Sequence, residues 1–208
     1  MSGEKVLPPA RRGHAHARAA VAIATIAWPA LALAHVEAGR AEGLLAGLQH
    51  PVSGLDHVLA MVSVGLWGAQ LGAPAIWLLP VTFPVVMAFG GMLGLLGVPL
   101  PGIEIGIAVS ALALGLAIAA AWRPPLWVAA AIVGFFALFH GHAHGTELPA
   151  GASGLAYSLG FVAATGLLHA AGIGIGAIQR WPRGRSILRA LGVVVAAAGV
   201  VFVWRAVA

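Results

Sequence analysis

Nine consecutive residues, Phe139-His-Gly-His-Ala-His-Gly-Thr-Glu147, hold three imidazoles and a carboxylate at the end of an otherwise apolar run from Pro125. His140 and His144 are four apart, so on a helix they stack on one face. Glu147 continues that face if the helix persists. Two histidines one turn apart with carboxylates nearby form a ligand set for a divalent first-row metal, and the imidazole–carboxylate mixture favours Ni²⁺, Co²⁺ or Zn²⁺ over Cu(I). His142 points elsewhere and reads as a loop or interface residue. Gly141 and Gly145 repeat the four-residue spacing about 100° round, a surface where a second helix can come close.

A second group lies near the start of the chain: His50, Asp56 and His57. Ser53-Gly-Leu-Asp56 has the form of a capping box, which explains Asp56 and leaves His57 unexplained. Glu104 follows Pro101 and can complement a helix N-terminus, so it is a weaker ligand candidate. Glu147 has no such explanation, because carboxylates are disfavoured at helix C-termini. His169 stands alone, as either an interhelical hydrogen-bonding residue or a second stop for an ion.

The elements that carry these groups must cross a lipid bilayer. Of 208 residues, 61% are hydrophobic and 8% charged, far from the balance of a soluble domain. Intramembrane ionisable residues are functional by default, which favours a site over a structural polar network. The net charge of +5 does not signal nucleic-acid binding, because the arginines sit at helix ends and form no basic face. There is no cysteine, so disulfides and thiolate metal sites are excluded.

Residues 1–34 have the form of a cleavable signal peptide: Arg11, Arg12 and Arg18, then a short apolar core, then Ala32-Leu33-Ala34. Cleavage would leave His35 at the mature N-terminus, and His14 and His16 would be discarded. Six apolar stretches follow, near 54–72, 74–97, 102–121, 125–144, 152–178 and 186–206, giving an all-α polytopic membrane domain over 35–208. Pro80 and Pro84 should kink the second. With His35 outside, the inner loops and their flanks hold Arg123, Arg180, Arg183, Arg185 and Arg189, whereas the outer segments hold Arg40 and Arg205. That asymmetry satisfies the positive-inside rule. Trp77, Trp122, Trp127 and Trp181 fall at the same inner interface. The orientation brings His50, Asp56, His57, Glu104, His140, His142, His144 and Glu147 to the outer face, and puts His169 towards the cytoplasm.

At these residues the chain resembles the HupE/UreJ family of bacterial membrane proteins. The signatures are His50-Pro51-Val-Ser-Gly54-Leu-Asp56-His57 and Phe139-His140-Gly141-His142-Ala143-His144-Gly145-Thr146-Glu147. The likeness covers essentially the whole mature chain. The family is linked to nickel supply for hydrogenase and urease, and its members look like secondary nickel permeases of the bacterial inner membrane. Carried over, the resemblance implies a metal site of His50, Asp56, His57, His140, His144 and Glu147. It also implies nickel as the transported ion, with cobalt or zinc as alternatives and no tightly bound cofactor. A more distant likeness joins the chain to the nickel/cobalt permeases, whose first motif has four residues between His and Asp-His. Here there are five, so the equivalence is of ligand type only.

His35, Glu37 and Glu42 are candidates for first capture of the ion. No Walker A motif is present, so ATP hydrolysis by that route is excluded. Two other functions compete. Gly151-Ala-Ser153-Gly154 resembles the serine motif of rhomboid intramembrane proteases. Its in-helix partner, His169, would lie ~24 Å away at ~1.5 Å per residue, but His140 or His144 could approach from a neighbouring helix. The other is a membrane accessory protein that binds metal without moving it. Gly-rich helix faces could also seat a second copy of the chain.

Overall fold

The structure, a computed structural model, describes residues 42–148, 151 and 153–208. The expected signal peptide, His35 and Glu37 lie outside the described residues. Every regular element among them is helical. In chain order they are α1 (Glu42–Ser53), α2 (Leu55–Leu71), α3 (Ala75–Leu95), α4 (Ile103–Ala119), α5 (Leu126–Thr146), α6 (Gly154–Gly176), a 3-10 turn (Ala177–Arg180) and α7 (Gly184–Val207).

The helices end where the sequence supplies breakers. Gly72 adopts φ 86° and Gly102 φ 72°, left-handed values that side chains resist. Four helices are long and apolar enough to cross a membrane: Ala75–Leu95, Leu126–Thr146, Gly154–Arg180 and Gly184–Val207. α1 and α2 form a pair bent by 83° that makes a fifth candidate, and α4, of 17 residues, is apolar but shorter. Large apolar side chains such as Trp77, Val85, Phe135, Leu167 and Val194 point outward, as lipid-facing residues do. The chain is a multi-pass membrane protein.

One expectation needs correction. Ser53 and Asp56 form no capping box. Ser53 closes α1, where its hydroxyl donates to the His50 carbonyl at 2.7 Å. Gly54 is the N-cap of α2 and supplies no side-chain cap. His50 therefore does not sit on the helix that carries His57. It comes from α1, which turns sharply away and packs on α6.

Glycine governs how the helices meet. On the α3–α5 seam, a Cβ at Gly141 would strike the Met87 carbonyl, one at Gly145 the Gly91 carbonyl, and one at Gly90 the Leu138 carbonyl. Gly115, Gly192 and Gly199 seal α4 against α7 in the same way, Gly65 and Gly172 seal α2 against α6, and Gly47 and Gly160 seal α1 against α6. Close backbone approach of this kind is how helices gain van der Waals contact without a hydrophobic driving force. The predicted approach at Gly141 and Gly145 is thus met by α3. Most of the glycine faces are used within the chain, whereas Gly166 and Gly174 on α6 have open space beside them.

The two ends of the bundle differ chemically. At one end Asp56, Glu104 and Arg205 line a cavity of about 280 Å³. At the other, Arg123, Gln179, Arg185 and Arg189 surround a cavity of about 540 Å³. Helix C-termini leave carbonyls unpartnered, and the second group satisfies several of them. Arg123 donates to Gln70 O at 2.8 Å, Arg189 to Ala119 O at 2.8 Å and Gln179 to Ala69 O at 2.6 Å. Cations suit that end of a helix dipole.

Candidate metal centre

The imidazoles form a file that runs inward from the acidic end. Glu147, the exposed C-cap of α5, accepts a hydrogen bond from His50 Nε2 at 3.0 Å. The His50 ring lies 4.6 Å from that of His144, edge to face. His144 lies 4.7 Å from His57, and His57 lies 4.7 Å from His140. Three helices thus contribute four rings in contact, α1 with His50, α2 with His57 and α5 with His140 and His144. The i, i+4 spacing on α5 gives its two rings a shared face, and the ring of His57 on α2 contacts both. His50, His144 and Glu147 each place one ligand atom within 4.8 Å of the others', close enough for one ion to bridge them.

The hydrogen bonds of His57 and His140 fix which nitrogen of each of these rings is free. Asp56 Oδ1 accepts from His57 Nδ1 at 3.0 Å and from the His57 backbone N–H at 2.9 Å. A neutral imidazole carries one N–H, so His57 Nε2 keeps a bare lone pair. That atom is buried with no partner. The same reasoning applies to His140. Ser110 Oγ donates to the Ile107 carbonyl at 2.6 Å, so toward His140 Nε2, at 3.0 Å, the hydroxyl acts as acceptor. Nε2 then holds the proton and Nδ1 is the bare nitrogen, again buried and unpartnered. Both nitrogens of His144 are buried without partners, because its Nδ1 stands 4.0 Å from Glu147 Oε2, beyond hydrogen-bond range.

Buried polar atoms in folded proteins are nearly always satisfied, and each exception needs a reason. Here the unpartnered nitrogens of His57, His140 and His144 are grouped, and two of these rings are held through their opposite N–H by a carboxylate or hydroxyl. That arrangement orients metal-binding imidazoles and fixes their tautomers. Replacing Asp56 by Asn, which removes the charge behind His57, is expected to weaken Ni²⁺ or Co²⁺ binding ~10- to 100-fold while leaving helical content intact. Titration of the purified variant, followed by circular dichroism, checks this; unchanged affinity would mean that Asp56 does not support the ring.

The other candidate residues are placed as follows. His142 faces away from the file, and its Nε2 donates to the Val98 carbonyl beyond the end of α3 at 2.7 Å. Its Nδ1 is buried without a partner, so the ring, a weaker ligand candidate read first as a loop or interface residue, stands apart from the four in contact. Glu104 is outside the file and shares the outer cavity with Asp56 and Arg205. Glu42 begins α1 and is exposed. His169 lies deeper, beyond Phe83. The protease reading of Ser153 finds no support. Its hydroxyl oxygen caps α6 by accepting the Ala156 N–H at 3.4 Å, and its backbone packs on Gly43.

Sequence reasoning missed Ser110 and Phe83. Ser110 is the one hydroxyl in the apolar run of α4, Ile103–Ala119, a signal that was available. Phe83 carries no such mark, because one phenylalanine among apolar residues looks like any other core residue. An apolar groove of about 250 Å³ beside the file, between Met87, Tyr157 and Phe161, touches His144. His144 is the one imidazole in its wall.

The model of the HupE / UreJ protein family matches residues 13–202. Protein HupE of Rhizobium leguminosarum bv. viciae is 48% identical over 177 residues, which cover 85% of this chain and 92% of that relative. No solved structure matches.

Proposed function

The chain belongs to the HupE/UreJ family, and from that premise we propose that it is a secondary transporter carrying a divalent transition metal, nickel foremost, from the periplasm to the cytoplasm. The single observation that carries this reading is the file of four imidazoles in contact, running inward from exposed Glu147, with unpartnered buried nitrogens on His57, His140 and His144. The reading has six crossings, with α1 and α2 together as one bent span and α4 as the short one. Its 17 residues rise ~26 Å, enough for a slightly thinned bilayer. It places the mature N-terminus in the periplasm and the arginine-rich end in the cytoplasm, in a bacterial inner membrane.

In this mechanism the carboxylates act first. Asp56, Glu104 and Glu147 draw the cation to the outer end and offset its charge as water is shed. Glu42, exposed at the start of α1, is a further candidate for first capture. His50, His144 and Glu147 offer the first complete set of donors, and His57 and His140 pass the ion inward by exchanging one imidazole for the next. Short steps between similar ligands keep any single site from holding the ion too tightly, as conduction requires. The membrane potential supplies ~2.3 kcal/mol per charge per 100 mV, about double for a divalent ion. The metal supplied would serve the assembly of hydrogenase or urease.

A lone pair that takes a proton cannot take a metal. Protonation of the imidazoles therefore competes with binding, and flux is expected to fall as the outer medium is acidified. The test is reconstitution of the purified chain into liposomes that enclose a Ni²⁺-sensitive dye. A dye response without any partner protein, falling with outer pH, supports transport. Binding to the purified protein with no response inside the vesicles favours an accessory protein that hands its metal to another.

A further inference from the structure

The file of rings does not end at His140. Phe83, fully buried on α3, lies against two imidazoles. Its ring is 5.5 Å from that of His140 and 5.4 Å from that of His169, edge-on to the second at 88°. His169, on α6, is thus the next imidazole inward, separated from the outer group by one aromatic ring.

The His169 ring lies beside a backbone group that proline sets free. Pro84 has no N–H, so the carbonyl of Pro80, four residues earlier on α3, loses its helical partner. The His169 ring faces that carbonyl. Its Nε2 is buried and has no partner; with the proton on Nδ1, Nε2 keeps the lone pair. A backbone carbonyl behind one nitrogen is the support that metal-binding imidazoles commonly have. On the other side, Gly65 of α2 meets the His169 backbone carbonyl with no room for a Cβ, which fixes the residue's position.

Thr165 lies four residues before His169, on the same face of α6. It is fully buried, and its Oγ1 also lacks a partner. A buried helical threonine ordinarily bonds back to the carbonyl four residues earlier. Two partnerless polar atoms one turn apart, an imidazole nitrogen and a hydroxyl, do not serve packing.

We infer that His169 Nε2 and Thr165 Oγ1 form an inner coordination point, which takes the divalent ion from His140 when the Phe83 ring moves aside. This rests on the transport reading above. The described carboxylates, Glu42, Asp56, Glu104 and Glu147, all lie where α1, α2 and α4 begin and α5 ends, so the inner point has neutral donors. Fewer and uncharged ligands bind a cation less tightly, which suits a release step.

The experiment uses the full chain in proteoliposomes and in detergent, with Ni²⁺ as the probe. His169→Gln offers an amide donor towards the Pro80 carbonyl and removes the imidazole. It is expected to lower Ni²⁺ flux at least tenfold, with equilibrium Ni²⁺ binding within twofold of the unaltered protein. His169→Cys, which restores a softer ligand, is expected to recover flux with preference shifted from Ni²⁺ towards Zn²⁺ and Cd²⁺. A merely structural role would leave metal preference unmoved. The inner point is overturned if His169→Gln transports at the normal rate, or if it loses binding and flux together and His169→Cys recovers neither. Failure of the unaltered protein to move Ni²⁺ overturns the transport reading itself, a result distinguishable from either of these.

Discussion

Replacing His57 by alanine lowers cellular ⁶³Ni²⁺ uptake at least ~100-fold at matched membrane abundance, the largest loss expected from any single imidazole. The figure lies at the upper end of the 10- to 100-fold cost of disturbing even a supporting group at a metal site. The reason is position. His57 is the one ring in contact with both His140 and His144, so its removal interrupts the file in the middle. It also leaves Asp56 without its imidazole partner. An empty rung there cannot be bypassed by rotamer change on α5, because His140 and His144 are buried among packed helices. Replacing His142 by alanine provides the contrast. That residue bonds Val98 outside the file, and uptake per folded molecule should stay within about twofold, since a loss of that bond acts on stability at about 1 kcal/mol. Normal uptake by the His57 variant would remove the proposed path.

A second large effect comes from one methyl group. Gly141→Ala places a Cβ against the Met87 carbonyl, backbone on backbone, where no flexible side chain can yield. Overpacking of this kind costs ~1–3 kcal/mol or more, and the seam between α3 and α5 must open to accept it. Gly141 stands between His140 and His144, so the displacement also carries His140 away from Ser110 and His144 away from His50. The expected result is a lower apparent melting temperature in detergent together with weakened Ni²⁺ binding. Gly166→Ala is the control. It lies within α6 with open space beside it, and there alanine should be neutral or raise stability by ~0.5–1 kcal/mol. Equal behaviour of the two variants would show that the seam is not tightly packed.

Much of the fold was legible because local rules set it. The stretch expected at 125–144 is Leu126–Thr146, and that at 152–178 is Gly154–Gly176 with its 3-10 extension. Proline and glycine end these elements by local backbone chemistry, which a single sequence displays. The pairing of His140 with His144, the seam at Gly141 and Gly145, and the different direction of His142 all follow from helical periodicity, which is equally local. What escaped was tertiary. Nothing in His50-Pro51-Val-Ser-Gly54 says that α1 turns by 83° and returns its histidine to His144. Ser53 fits a capping box in sequence yet spends its hydroxyl on the end of α1, because two helices meet there and only one begins. Ser110 and Phe83 owe their parts to the ring of His140 on another helix, a relation that spacing along the chain cannot carry.

The glycine seams bear on how such a molecule can move. Helices whose backbones interlock at Gly90, Gly141 and Gly145, or at Gly115, Gly192 and Gly199, cannot slide past one another by a residue without collision. The α3–α5 and α4–α7 pairs should therefore behave as rigid bodies, and alternating exposure of a site to the two sides of a membrane must come from rocking between such bodies. The rings of the file are shared across those boundaries: His140 and His144 ride on one body, and His57 on another. A rocking motion of an ångström or two at the boundary would stretch the contact between His57 and α5 and leave every helix unchanged inside. The moving part of this protein would then be a set of interfaces, each held together on its own side by the absence of side chains.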